Sequence, residues 1–276
     1  MTVGTVQVKH SPAAYVHLCC RIHDEALGGF VQVQNGRHWR RIWWVAGSPV
    51  WFESNVPEEE LGASLAAVGV LDANRLAELR EQANDDESLR DVLLRVDDVS
   101  PDILHEHLRA LVARGVSAPL VWPRGELSFE PLIALPAGIL RSAVLASEPP
   151  LQLLWRGAEA HVRMDQVLAW VTEPSAGRIQ PTDALADVLP ALLRDGPLEE
   201  LVPRLQQPCG VDELFMPVPD RSGGLLVLLW LLELAGLITR DGSDRLPALP
   251  SGPAALPGRP QPPSGASPPG ASRPGA

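Results

Sequence analysis

Five apolar positions recur after a fixed interval: Leu61, Leu65, Val68, Leu71 and Leu76 return as Leu89, Leu93, Val96, Val99 and Leu104, each 28 residues on. Steps of three to five belong to helices, so each copy reads as a short helix, a turn and a longer helix. Asp72 and Ser100-Pro101 stand at corresponding positions as amino-terminal caps of the second helix in each copy. Two copies rarely make a free-standing solenoid, so the helices of residues 58–115 are expected to pack together as a four-helix unit against some other layer.

The segment just before the repeat supplies that layer. Phe30 to Gln34 and Trp39 to Val45 are rich in β-branched and aromatic residues and are separated by Asn35-Gly36, a strong hairpin signal. A third strand, Val50 to Glu53, follows a turn at Gly47-Ser48-Pro49. Ahead of them Ser11-Pro12 opens a helix over about residues 12 to 25, which Gly28-Gly29 stops. After the repeat, Leu120 to Phe129 holds two short strand-like runs around Pro123-Arg124-Gly125, placed to extend the first sheet.

Beyond residue 131 the pattern predicts a helix near Ala137 to Ala146, an apolar strand at Leu151 to Trp155 and a helix near Met164 to Val171. Thr182 is a good cap for a helix through Leu193, followed by helices at Leu198 to Leu205 and near 224–236. The expected fold class is α+β: an antiparallel β-meander backed by a helix, an inserted two-copy helical repeat, and a helical, winged-helix-like carboxy-terminal subdomain. Residues 1–131 hold the sheet and repeat, and 132–245 form a mostly helical part of the same module or a subdomain. Residues 246–276 are so rich in Pro, Gly, Ser and Ala, with no aromatic residue, that disorder is expected there.

Charge narrows the partners. With 34 acidic against 23 basic residues the formal charge is −11, which opposes binding to nucleic acid or to anionic membrane. Between Pro181 and Arg245 the cations are Arg194, Arg204, Arg221, Arg240 and Arg245, against eleven acidic residues, so a winged-helix transcriptional regulator lacks its phosphate-contacting face. The most apolar window, Gly224 to Ile238, is about 15 residues long and contains Glu233, short of the roughly 20 needed to span a bilayer, so no membrane insertion is expected. Three cysteines, two of them adjacent, make no disulfide framework, and the amino terminus lacks a basic segment leading into an apolar one; a cytoplasmic location fits.

Candidate chemistry is sparse. His17, Cys19, Cys20 and His23 fall within seven residues, as a zinc site would require, but a helix turns them onto different faces. His105 and His107 are two apart and diverge on a helix. Paired acids such as Asp85-Asp86, Asp97-Asp98 and Glu199-Glu200 fall in turns and at helix starts. No phosphate loop, nucleophile elbow or metalloprotease motif occurs, and no cofactor, metal or catalytic residue is expected. Alternation along Arg37 to Trp44 places Ile42 and Trp44 on one face of the sheet and Trp39, Arg41 and Trp43 on the other. Tryptophan beside arginine is the composition of protein-interface hot spots, so Trp39, Arg41, Trp43 and Trp51 are the candidate partner-binding residues, with core packing as the alternative for the rings.

Taken in order, the opening helix, the strand Gly29-Phe30-Val31-Gln32-Val33, the segment Ile42 to Val50, the Leu61-Gly62 repeat and the returning Trp122-x-x-Gly125-x-Leu127-x-Phe129 resemble the PATAN family, also catalogued as domain of unknown function 4388. The resemblance covers roughly residues 10–240. It implies a bacterial signalling adaptor acting through protein contacts in motility, polarity or type IV pilus control, with a receiver-domain protein, a small GTPase or a pilus component as partner. The repeat is also similar to the amino-terminal module of type II secretion and type IV pilus ATPases, which implies a cyclic di-GMP-responsive sensor as an alternative. Leu61, Gly62, Leu65, Gly69 and Leu76 match that pattern in place. Glu60 stands where its nucleotide-contacting arginine would be, Arg80 replaces a leucine and Ala83 the glutamine, and an acid at a phosphate site is repulsive.

Overall fold

The computed structural model describes residues 6–83, 89–96, 99–144, 148–165, 167, 178–193, 199–210, 213–214 and 222–240. The acid pairs at 85–86 and 97–98, most of the helix expected near Met164 to Val171, Arg194, Arg221, Arg245 and the 246–276 tail lie outside them.

The protein is α+β, built on a five-stranded antiparallel sheet. Its strands are β1 (Val6–His10), β2 (Gly29–Asn35), β3 (His38–Val45), β4 (Ser48–Ser54) and β5 (Gly125–Pro131), in spatial order β1-β5-β2-β3-β4. Helix α1 (Pro12–Asp24) starts where Ser11 Oγ accepts the Ala14 amide at 3.2 Å, with Pro12 needing no donor of its own. The β2–β3 connection is the two-residue loop Gly36-Arg37, with Gly36 at φ 61°.

The next turn falls one residue earlier than expected. Val45 pairs with Ser48, so Ala46 and Gly47 form the loop, at φ 47° and 79°. Two consecutive left-handed residues match the right-handed twist of the flanking strands. Pro49 lies inside β4, opposite Trp44 and beside a register shift between Trp43 and Trp44; an edge strand tolerates the missing donor. The returning chain also differs from expectation, since Ala118–Val121 is a 3₁₀ turn and only Gly125–Pro131 is a strand.

Between β4 and β5 run α2 (Leu61–Ala67), α3 (Ala73–Glu81), α4 (Leu89–Val96) and α5 (Pro101–Ser117). Asp72 Oδ1 caps α3 by accepting the Arg75 amide at 2.8 Å, and Ser100 Oγ caps α5 through the Ile103 amide at 3.4 Å. Then follow α6 (Ala137–Ser142), α7 (Pro150–His161), α8 (Asp183–Leu193), α9 (Val202–Leu205) and α10 (Ser222–Leu234). Leu151 to Trp155 is thus helix, not strand: its apolar run fills the first turns of α7, which begins at Pro150. A second, two-stranded sheet pairs β6 (Ile179–Pro181) with β7 (Ile238–Arg240).

One continuous apolar core joins the inner face of the sheet (Val31, Val33, Ile42, Trp44, Phe52, Leu127, Phe129) to α1, α5, α7, α8 and α10. Every residue of α10 from Leu225 to Leu232 is buried, as a helix apolar on all sides requires. A smaller core gathers Leu65, Leu79, Val92 and Leu93 from α2, α3 and α4 around Leu104 and Leu108 of α5. Helix α5 belongs to both, since its later residues Leu111, Val112 and Val116 sit in the first. Gly115 lets α5 approach the sheet, where a Cβ would stand 2.3 Å from the Phe52 ring.

Candidate functional site

Register places the side chains of the outer sheet face in rows. One row crosses all five strands, Gln7, Ser128, Gln32, Arg41 and Glu53; a second runs Glu130, Phe30, Trp43, Trp51; a third runs Lys9, Glu126, Gln34, Trp39. The opposite face is the apolar inner wall, so the period of two has separated core from surface as alternation demands.

Arg41 organises the outer face. Its Nε and Nη2 donate to Gln32 Oε1 at 3.2 and 2.8 Å, and its Nη1 lies 3.8 Å from Glu53 Oε2. The guanidinium sits 4.5 Å from the Phe30 ring centre, 5.5 Å from Trp39 and 5.7 Å from Trp43, within cation–π range of all three. Phe30 and Trp43 pack at 4.9 Å with their planes tilted 54°. An arginine held on three sides loses little side-chain entropy when something docks on it.

The four sequence candidates separate. Trp39, Arg41 and Trp51 are half-buried, whereas Trp43 is only 5 % exposed. Trp43 therefore packs beside Phe30 within the patch but leaves little of its own ring for a partner. Trp51, on the edge strand, packs against the smaller core. The residue missing from the candidates is Phe30, which is half-buried; counting back from the Asn35-Gly36 turn would have set it opposite Trp43.

On the inner face a charged group intrudes. Arg40 is buried, donates from Nε and Nη2 to both oxygens of Glu59 at 2.6 to 3.2 Å, donates from Nη1 to the Ala118 carbonyl at 2.9 Å, and stacks 3.8 Å over Trp122. Burial alone would raise the Glu59 carboxyl, but the hydrogen bonds from Arg40 and Ser54 and the charges of Arg40 and Arg114 hold it below its ordinary value.

The remaining chemical groups do not converge. Burial pushes the Cys19 thiol far up and the Cys20 thiol to about 12, the latter with help from Asp24, so neither is a thiolate near neutrality. His23 Nδ1 is paired with the Gly47 carbonyl at 3.0 Å. Among the described residues no three His, Cys, Asp or Glu side chains are grouped to hold a metal. Glu60, at the position of the ATPase module's arginine, accepts from Arg80 at 2.8 Å. In the carboxy-terminal part Arg204 donates to the Glu213 carbonyl, and Arg240 pairs with Glu233. No described helix is long and apolar enough to cross a membrane. Compared with family models, with curated proteins and with solved structures, the chain finds no match.

Proposed function

We propose that this protein is a non-enzymatic adaptor that docks a protein partner on the outer face of its sheet, over Phe30, Trp39 and Arg41. The observation that carries the reading is the fixed Arg41, wedged among three aromatic rings and tied to Gln32 and Glu53 on a face where Phe30, Trp39 and Arg41 itself stay half-exposed. Aromatic and arginine side chains ordered before contact are the anchors that dominate interface energies. The carboxylates of Glu53, Glu126 and Glu130 flank the anchor in the same rows, which favours a partner surface with basic groups around an apolar centre.

In this reading α2 to α5 act as a two-copy repeat whose role is to hold β4, and with it the patch, in place, and the carboxy-terminal helices form a winged-helix-like buttress. The pathway form of the proposal is bacterial signalling in motility or pilus control, in the cytoplasm, with a receiver-domain protein, a small GTPase or a pilus component as partner. The test is capture from native lysate with the wild type and with a Trp39→Ala/Arg41→Ala double variant of unchanged melting temperature. A partner held by the wild type and lost by the variant supports docking here, with each anchor worth about 2 kcal/mol or roughly thirtyfold in affinity. Equal capture by both proteins sinks it.

A further inference from the structure

Although the chain is acidic overall, its guanidinium groups crowd one side of α5 and α7. A groove of about 480 Å³ runs between these helices, floored by Ala110, Ala113 and Gly157 and rimmed by Arg109, Arg114 and Arg156. A second of about 390 Å³ shares Arg114 and His161 with it and adds Arg40, Glu59 and Arg163. Gly157 is where the two helices touch: a Cβ there would stand 1.9 Å from Ser117 Oγ, so the floor of the groove is the close α5–α7 contact itself.

Most of these cations are already answered. Arg40 is bonded by Glu59 and the Ala118 carbonyl, Arg156 by Glu148, and Arg163 by Asp165. Arg114 is not. Its Nε and Nη2 are shut from solvent and have no hydrogen-bond partner, and the carboxylate whose field it feels, Glu59, is taken up on both oxygens by Arg40. Two guanidinium groups thus share one carboxylate where the dielectric is low, leaving one positive charge in excess. Arg114 is half-buried, with Nε and Nη2 enclosed and unpaired and Nη1 left open, and a partly desolvated guanidinium without a hydrogen-bonded counter-charge favours an anion at its open edge.

We propose that the joined grooves bind a small organic anion, whose phosphoryl or carboxylate oxygens are held by Arg114 and whose body lies over Ala110, Ala113 and Leu153. The volume is that of a small-molecule site with an apolar floor and few polar anchors. Arg114 lines both grooves, and Nη1, the guanidinium nitrogen that is not enclosed, is the one an entering anion meets. Glu106 and Glu148 on the rim repel an extended polyanion such as nucleic acid. The inference is independent of docking on the sheet face.

Thermal denaturation and calorimetry on the full chain test it, with chloride replaced at constant ionic strength by inorganic phosphate in one series and by succinate in another. The expected result is a saturable rise in melting temperature with at least one anion, abolished in Arg114→Gln and with half-saturation shifted about tenfold in Arg109→Gln. A rise with phosphate alone assigns a phosphoryl ligand, and one with succinate alone a carboxylate. Should Arg114→Gln fail to fold, the exposed Arg109→Gln decides by itself. No saturable response to either anion, or one that the foldable variants leave unchanged, overturns the proposal.

Discussion

At the scale of single residues, two enclosed titratable groups limit stability on the acid side, one below the other in pH. His10 is 4 % exposed, and its Nε2 lies 3.1 Å from the Pro119 carbonyl and 2.9 Å from that of Trp122, so Nε2 carries the proton and Nδ1, buried without a partner, does not. Burial outweighs those two carbonyls and lowers its pKa from the ordinary 6.5. The folded state therefore prefers neutral His10: the benefit is complete above pH 6.5 and is lost as pH falls below it toward the depressed folded value. His17 is lowered by burial as well and acts in the same window. Urea midpoints across pH 5 to 8 are expected to fall only on the acid side, with a shallower fall in His10→Gln; an unchanged slope would show that the ring is hydrated. Glu59 works lower down. Its depressed carboxyl contributes stability above the ordinary 4.5 that disappears as pH drops through the lower folded value. Glu59→Gln removes the counter-charge of Arg40, and losing one partner of a buried pair costs about 3–5 kcal/mol, which urea denaturation at pH 7 would register.

At the scale of elements, α5 is the piece on which both cores depend, and Gly115 is its contact with the sheet. Gly115→Ala drives a methyl into the Phe52 ring and is expected to cost about 1–3 kcal/mol of overpacking. Combining it with Phe52→Leu should cost less than the two single changes summed; simple additivity would mean that the helix moves away instead. The elements also show what can be read from residues alone. The opening helix, the three strands after it and the caps at Asp72 and Ser100 were legible because each carries a local device: a capping hydroxyl or carboxylate, a proline at the first turn, a glycine at a turn. Leu151 to Trp155 was not, because a short run apolar on every side has the same appearance in a buried strand and a buried helix. Strands β1, β6 and β7 are five, three and three residues long, too short for alternation to declare itself, and their pairing partners lie far along the chain. The same distinction applies to the sites. The Trp39-Arg41-Trp43 face follows from alternation within one strand, whereas the Arg114 groove depends on α5 meeting α7, which no local pattern encodes.

At the scale of the whole molecule, a core shared by the sheet, α1, α5, α7, α8 and α10 predicts one cooperative unfolding transition for those elements, with equal calorimetric and van't Hoff enthalpies. Two resolved transitions would show that the carboxy-terminal helices fold by themselves. Helices α2, α3 and α4 rest mainly on the smaller core, with Leu61 of α2 touching the larger one, so their amides are expected to exchange hydrogen faster than those of α1, α7 and α10. Helix α10 fills the middle of the larger core yet is made after every other helix that surrounds it. As the polypeptide leaves the ribosome, the sheet and α7 must wait with an unfilled apolar hollow until residue 234 or so has emerged, a delay of seconds at ordinary synthesis rates. Over that interval the nascent chain is a natural client for chaperones, and any premature stop ahead of Ser222 should yield a product that aggregates or is degraded rather than a smaller working protein.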